Sequence, residues 1–212
     1  MKTPSEVLQE AKKFTFQGEY TKALAAHEWY HENALTIEPA QYGVRLSFAL
    51  SYWKELADKY PPALASLKRY KKKAEQSLKQ GECTPQLFKD FSAISEQTSE
   101  ENSSLVLFLY LDINQEKVAR SCFKHAKDTL IKNKQVDLFL KYNGDIEQEV
   151  DATIEMNKSI IQISSRQKKE QLLKQVFSRI SIKTTHLSEF ATLLDRQDLS
   201  DSLIHETEKL KP

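Results

Sequence analysis

His27-Glu28-Trp29-Tyr30-His31 sets two imidazoles four residues apart with a carboxylate beside the first, the pattern H-E-x-x-H. On a helix, residues i and i+4 share a face, so two such imidazoles can chelate zinc while the glutamate serves as general base. A hydrolytic site of this kind needs a third protein ligand. Glu55 lies 24 positions beyond His31, but Glu55-Leu56-Ala57-Asp58 lacks the pattern of zinc proteases with a downstream glutamate. No third histidine follows in a glycine-containing extension. The competing reading makes His27 and His31 part of the apolar face between Ala23 and Ala34, packed as core or groove-edge residues. We favour it: no metal is expected at His27 and His31, and a zinc-dependent hydrolase is the alternative.

Arg45 is the second chemically loaded position. It stands in an otherwise apolar stretch beside Tyr42, Leu46 and Ala49. A buried guanidinium requires a carboxylate or a carbonyl. Glu28, Glu32 or Glu38 of the preceding segment is within reach of such a role. Either the arginine closes an ion pair inside the chain, or it receives the carboxylate of a partner. Arginine and aromatic side chains contribute most to binding when desolvated. The candidate binding surface is therefore Tyr42, Arg45, Tyr52 and Trp53, with His27 and His31 at its edge.

Lys68, Arg69, Lys71, Lys72 and Lys73 surround Tyr70, and Arg166, Lys168 and Lys169 form a second basic run. Both read as solvated helix faces. Lys and Arg total 31 against 30 Asp and Glu, a net charge of +1, so no global field favours nucleic acid or an anionic membrane. No glycine-rich phosphate loop, nucleophile elbow or Cys/His nucleophile pattern occurs, and no cofactor is expected. Cys83 and Cys122 form no C-x-x-C pair and read as reduced thiols of a cytoplasmic protein. The first residues lack the apolar region of a secretory signal, and the longest apolar run, Leu105 to Leu111, is far too short to span a membrane.

The elements that must position these residues are helical. Only 4 Gly and 6 Pro punctuate 212 residues, and β-branched runs between glycine turns are absent. The spacing predicts eleven helices, about 5–16 capped by Ser5, 20–39, 41–58, 61–80, 85–98 capped by Thr84, 100–112, 114–132 capped by Asn114, 136–142, 146–165, 168–194 and 199–210. Ile180 to Thr185 is β-branched, yet with no pairing partner it is expected to stay helical. Asn143-Gly144-Asp145 is a break. The expectation is one all-α domain, in which residues 144–212 pack on or cap the array formed by residues 1–143.

Small or apolar anchors recur early in alternate helices at Ala23, Ala63, Ser104 and Leu138, separated by 40, 41 and 34 positions. Gly18-x-Tyr20-x-x-Ala23, Ala34-Leu35-x-x-x-Pro39 and the Ser104/Phe108/Leu111 set resemble the tetratricopeptide repeat, a helix-turn-helix unit of about 34 residues. The two half-motifs of the first unit stand one helical turn further apart than in the family. The stretch from His27 to Leu64 is also similar to a group of uncharacterised bacterial tetratricopeptide-like proteins. The resemblance covers about Val7 to Tyr142. It implies an α-α superhelix of stacked hairpins whose concave face binds a peptide or protein partner. The function expected is thus a protein-protein interaction module, with a self-associating protein, such as a homodimer, as a third reading.

Overall fold

The computed structural model describes residues 2–100, 102–165 and 170–212, and among them twelve α-helices and no strand. Where residues are described, the predicted elements are helical, with differences at their ends that have local causes, and the expected helix start at Lys168 lies outside the described residues. Helix α1 (Pro4–Phe16) is capped by Thr3, not Ser5. Thr3 and Glu6 form a reciprocal capping box, with Pro4 at the first turn where its missing N–H costs nothing. Ser5 Oγ instead accepts a hydrogen bond from Gln41 Nε2 at 3.1 Å. Gly18, at φ +76°, turns the chain into α2 (Tyr20–Ile37). A short 3-10 turn at Pro39–Gln41 follows.

The expected single helix over 41–58 is two helices, α3 (Tyr42–Leu46) and α4 (Phe48–Ala57). Ser47 makes the break. Its hydroxyl donates to the Gly43 carbonyl at 2.7 Å, and its own N–H bonds to Val44 O rather than continuing the α-helical ladder. Helix α5 (Pro61–Lys79) and helix α6 (Pro85–Gln97) both start on proline. Thr84 flanks α6, but its hydroxyl bonds to Glu82 and gives no cap. Helix α7 (Ser103–Asn114) includes Asn114, whose amide donates to Tyr110 O, so α8 (Glu116–Lys132) starts without it. Then come α9 (Val136–Asn143), α10 (Glu147–Ser165), α11 (Glu170–Leu193) and α12 (Gln197–Glu208). Ile180 to Thr185 lies within α11, helical as expected.

The chain divides into two compact units, Met1–His125 and Ala126–Pro212, with the boundary inside α8 and not at Asn143-Gly144-Asp145. Gly144, at φ +78°, only closes α9. Phe139 of α9 packs edge-on against Phe190 of α11, ring centroids 5.1 Å apart, which joins α9 to the C-terminal helices.

In the first unit α1 pairs with α2 and α5 with α6. One core cluster gathers Ala23, Leu50, Trp53, Leu56, Ala63, Leu67 and Ile94, and a second Val7, Leu8, Tyr30, Ala34 and Ala49. Ala23 and Ala63 are fully buried, where a small side chain lets backbones approach. Helix α7 buries Leu107, Phe108 and Leu111 but leaves Val106 and Ile113 exposed. The second unit packs α10, α11 and α12 together. Buried hydroxyl pairs, Ser188 with Ser200 at 2.7 Å and Thr184 with Thr207 at 3.1 Å, join α11 to α12. Leu138, expected as the last repeat anchor, is half-buried while its neighbour Phe139 is fully buried. Of the cysteines, Cys83 is exposed in the turn before α6, and Cys122 is buried in α8 with its thiol pKa pushed up by that burial.

Candidate functional site

His27 and His31 do share one face of α2, and that face is core. His27 is 1% exposed and stacks on Trp53, with centroids 5.6 Å apart and planes 14° from parallel. Among the described residues neither ring nitrogen of His27 has a hydrogen-bond partner, nor does Trp53 Nε1. Burial holds the His27 imidazole down to a pKa of about 4. Glu28 turns away from both imidazoles and accepts from Ser66 Oγ at 2.5 Å and Arg69 Nη2 at 2.7 Å on α5. Glu55 is exposed on α4. Among the described residues no group of three His, Cys, Asp or Glu is placed to hold a metal ion.

His31 is bound into a different assembly. Arg45 is 8% exposed and reaches from α3 to α6, where Asp90 takes both arms of its guanidinium, Nη1 to Oδ1 at 2.5 Å and Nη2 to Oδ2 at 3.0 Å. Arg45 Nε donates to the His31 carbonyl at 2.9 Å, and Nη2 lies 3.0 Å from His31 Nε2. A guanidinium only donates, so His31 Nε2 accepts and the ring is neutral. Burial, and then the Arg45 charge, hold its pKa down to about 3. The expected partners Glu28, Glu32 and Glu38 are replaced by Asp90, 45 residues further on. Glu32 accepts instead from Tyr70 Oη at 2.5 Å, and Tyr70 packs edge-on against His31 at 4.8 Å. Burial, followed by that bond, pushes the Tyr70 pKa up. These groups line a polar cleft of about 410 Å³ between α2, α3, α5 and α6.

The six expected binding residues therefore do not form one surface. Trp53 is 1% exposed and belongs to the core, as does His27. The Arg45 guanidinium is taken by Asp90 and His31, so its expected role as receiver of a partner's carboxylate is corrected to an internal pair. Tyr52 is half-buried beneath Lys12 Nζ, 3.9 Å from its ring centroid, beside Phe48, which is 62% exposed. Tyr42, on the other side of the Ser47 break, lines a separate groove. Of the basic runs, Lys68, Arg69, Lys72 and Lys73 are exposed on α5, Arg69 pairs with Glu28 and Lys71 with Glu100. Arg166, Lys168 and Lys169 lie outside the described residues.

The Tyr42 groove has a volume of about 760 Å³ and is lined by Leu35, Pro39, Tyr42, Pro85, Gln86, Lys89, Ser121, Lys124 and His125. Apolar side chains come from α2 and the two proline turns, and polar ones from α6 and α8. Lys89 Nζ sits 4.6 Å from the Tyr42 ring centroid, a cation–π contact. Burial, then Lys89 and Lys124, hold the His125 pKa down. Of the expected binding residues, Tyr42 alone lines this groove. Lys124 and His125 are neighbours in α8, but Lys89 stands far from them in the sequence, and only the fold brings the three to one groove. Compared with known proteins, the chain matches no family model, no curated protein and no solved structure.

Proposed function

We propose that the protein is a partner-binding module of stacked, tetratricopeptide-like helical hairpins, and that a peptide segment of another protein seats in the groove around Tyr42. The groove itself carries the reading. Its volume falls in the range of ligand sites, and a half-exposed aromatic ring, two prolines and several polar side chains line it. The pairing of α1 with α2 and of α5 with α6, and the buried anchors Ala23 and Ala63, support the hairpin architecture. The hold of Arg45 on His31 Nε2, and of Ser66 and Arg69 on Glu28, weighs against the hydrolase alternative.

The test is a photo-crosslinking amino acid placed at exposed Gln86 in the groove and, as control, at exposed Lys72 on α5. In an extract of the source cell, Gln86 is expected to give a discrete cross-linked protein that Lys72 does not. Tyr42→Ala should weaken that product with Tm within a few degrees of the parent. Equal products from both positions, or none from Gln86, would reject the groove as the binding seat.

A further inference from the structure

The Tyr42 groove carries a charge pattern that seating a peptide does not by itself require. Among the described residues Lys89, Lys124 and His125 line it together, and no carboxylate does. Carboxylates nearby in sequence have partners elsewhere: Asp90 has Arg45, Glu38 the Gln41 amide, and Asp128 Lys183. Among the described residues Lys89 has the Tyr42 ring as its neighbour and no ion pair. Lys89 comes from α6 and Lys124 from α8, and both line this one groove. Gln86 adds an exposed amide at the same wall.

From this convergence we infer that the groove binds the phosphate of a phosphorylated peptide side chain, with Lys89 and Lys124 as its counter-ions. The inference rests on the partner-binding reading and names the partner's chemistry. A phosphoryl group carries close to two negative charges at neutral pH on one compact centre. Two ammonium groups match that charge, whereas one carboxylate would leave a cation unmatched. Tyr42, Leu35, Pro39 and Pro85 are then the contacts for apolar residues flanking the phosphate. A nucleic-acid backbone is the poorer fit, because a polyanion needs a row of cations and the chain's net charge is only +1.

The full chain, isotopically labelled, is titrated by NMR with N-acetyl-phosphoserine amide, N-acetyl-glutamate amide and N-acetyl-serine amide. Saturable shifts at Gln86, Lys89, Lys124 and His125 are expected with the phosphoserine probe. Its apparent Kd should be at least roughly fivefold below that of the glutamate probe, with no saturation by the serine probe. Lys89→Gln combined with Lys124→Gln should abolish the shifts without changing Tm, while Lys72→Gln leaves them intact. Absent shifts, equal affinity for the glutamate probe, shifts that survive the double substitution, or tighter binding of a short single-stranded oligonucleotide through the same lysines would each overturn the inference. Cross-linking at Gln86 without phosphoserine shifts would remove the phosphate and keep the peptide seat. Phosphoserine shifts without cross-linking would remove the peptide partner.

Discussion

Arg45 and Asp90 are both largely shielded, with side chains 10% and 14% exposed, and each is the main partner of the other. Removing one member leaves a desolvated charge, which costs about 3–5 kcal/mol. Arg45→Ala is expected to lower stability by that amount, measured by chemical denaturation. Arg45→Met with Asp90→Leu should recover most of the loss, because the double change removes both charges. His27 and His31 add a second prediction. Their folded pKa values, about 4 and about 3, lie below the unfolded value of about 6.5. Between those limits the unfolded chain binds more protons, so stability falls as pH drops below about 6.5 and is unaffected above it. At pH 5 each imidazole costs on the order of 2 kcal/mol. His27→Leu should remove about half of that acid sensitivity. It should also raise Tm at neutral pH, since it replaces buried ring nitrogens that lack partners with an apolar side chain. A melting curve for His27→Leu as acid-sensitive as the parent's would contradict this account.

At the scale of the element, the positions that punctuate the chain were legible because proline and glycine act locally. Pro39, Pro61, Pro85, Gly18 and Gly144 each stand where an expected turn occurs. The Ser47 break was not legible, because it depends on one hydroxyl capturing one carbonyl and not on residue type. Nor was Asp90, whose tie to Arg45 spans 45 positions and is set by packing of α3 against α6. The aromatic excess over 42–53 suggests a binding surface, because sequence cannot separate a buried Trp53 from a half-exposed Tyr42. Two glycines test the local logic in opposite directions. Gly18 sits at φ +76°, so Gly18→Ala should cost about 1 kcal/mol although its surroundings are open. Gly43 is helical with nothing within 4 Å of an added Cβ, so Gly43→Ala should gain about 0.5–1 kcal/mol. Denaturant midpoints with unchanged slope would establish both signs.

Over the whole molecule, two compact units each hold their own core. Phe190 is fully buried in the second, and its truncation to alanine removes the contact with Phe139. Phe190→Ala is expected to cost about 3–5 kcal/mol. Amide exchange should accelerate across α9 to α12 and stay unchanged in α1 to α6, as cooperative units open separately. Equal acceleration across the chain would mean that the two units unfold as one.

The unequal placement of the two thiols makes the protein a ready-made optical reporter. Cys83 is open to reagent and Cys122 is enclosed, so a maleimide dye should modify one thiol per native chain and two after denaturation. That dye would stand at the mouth of the turn leading into Pro85 and Gln86, the wall of the Tyr42 groove. Its emission would then follow occupancy of the groove directly in the unsubstituted sequence, with neither an added tag nor a prior identification of what arrives there.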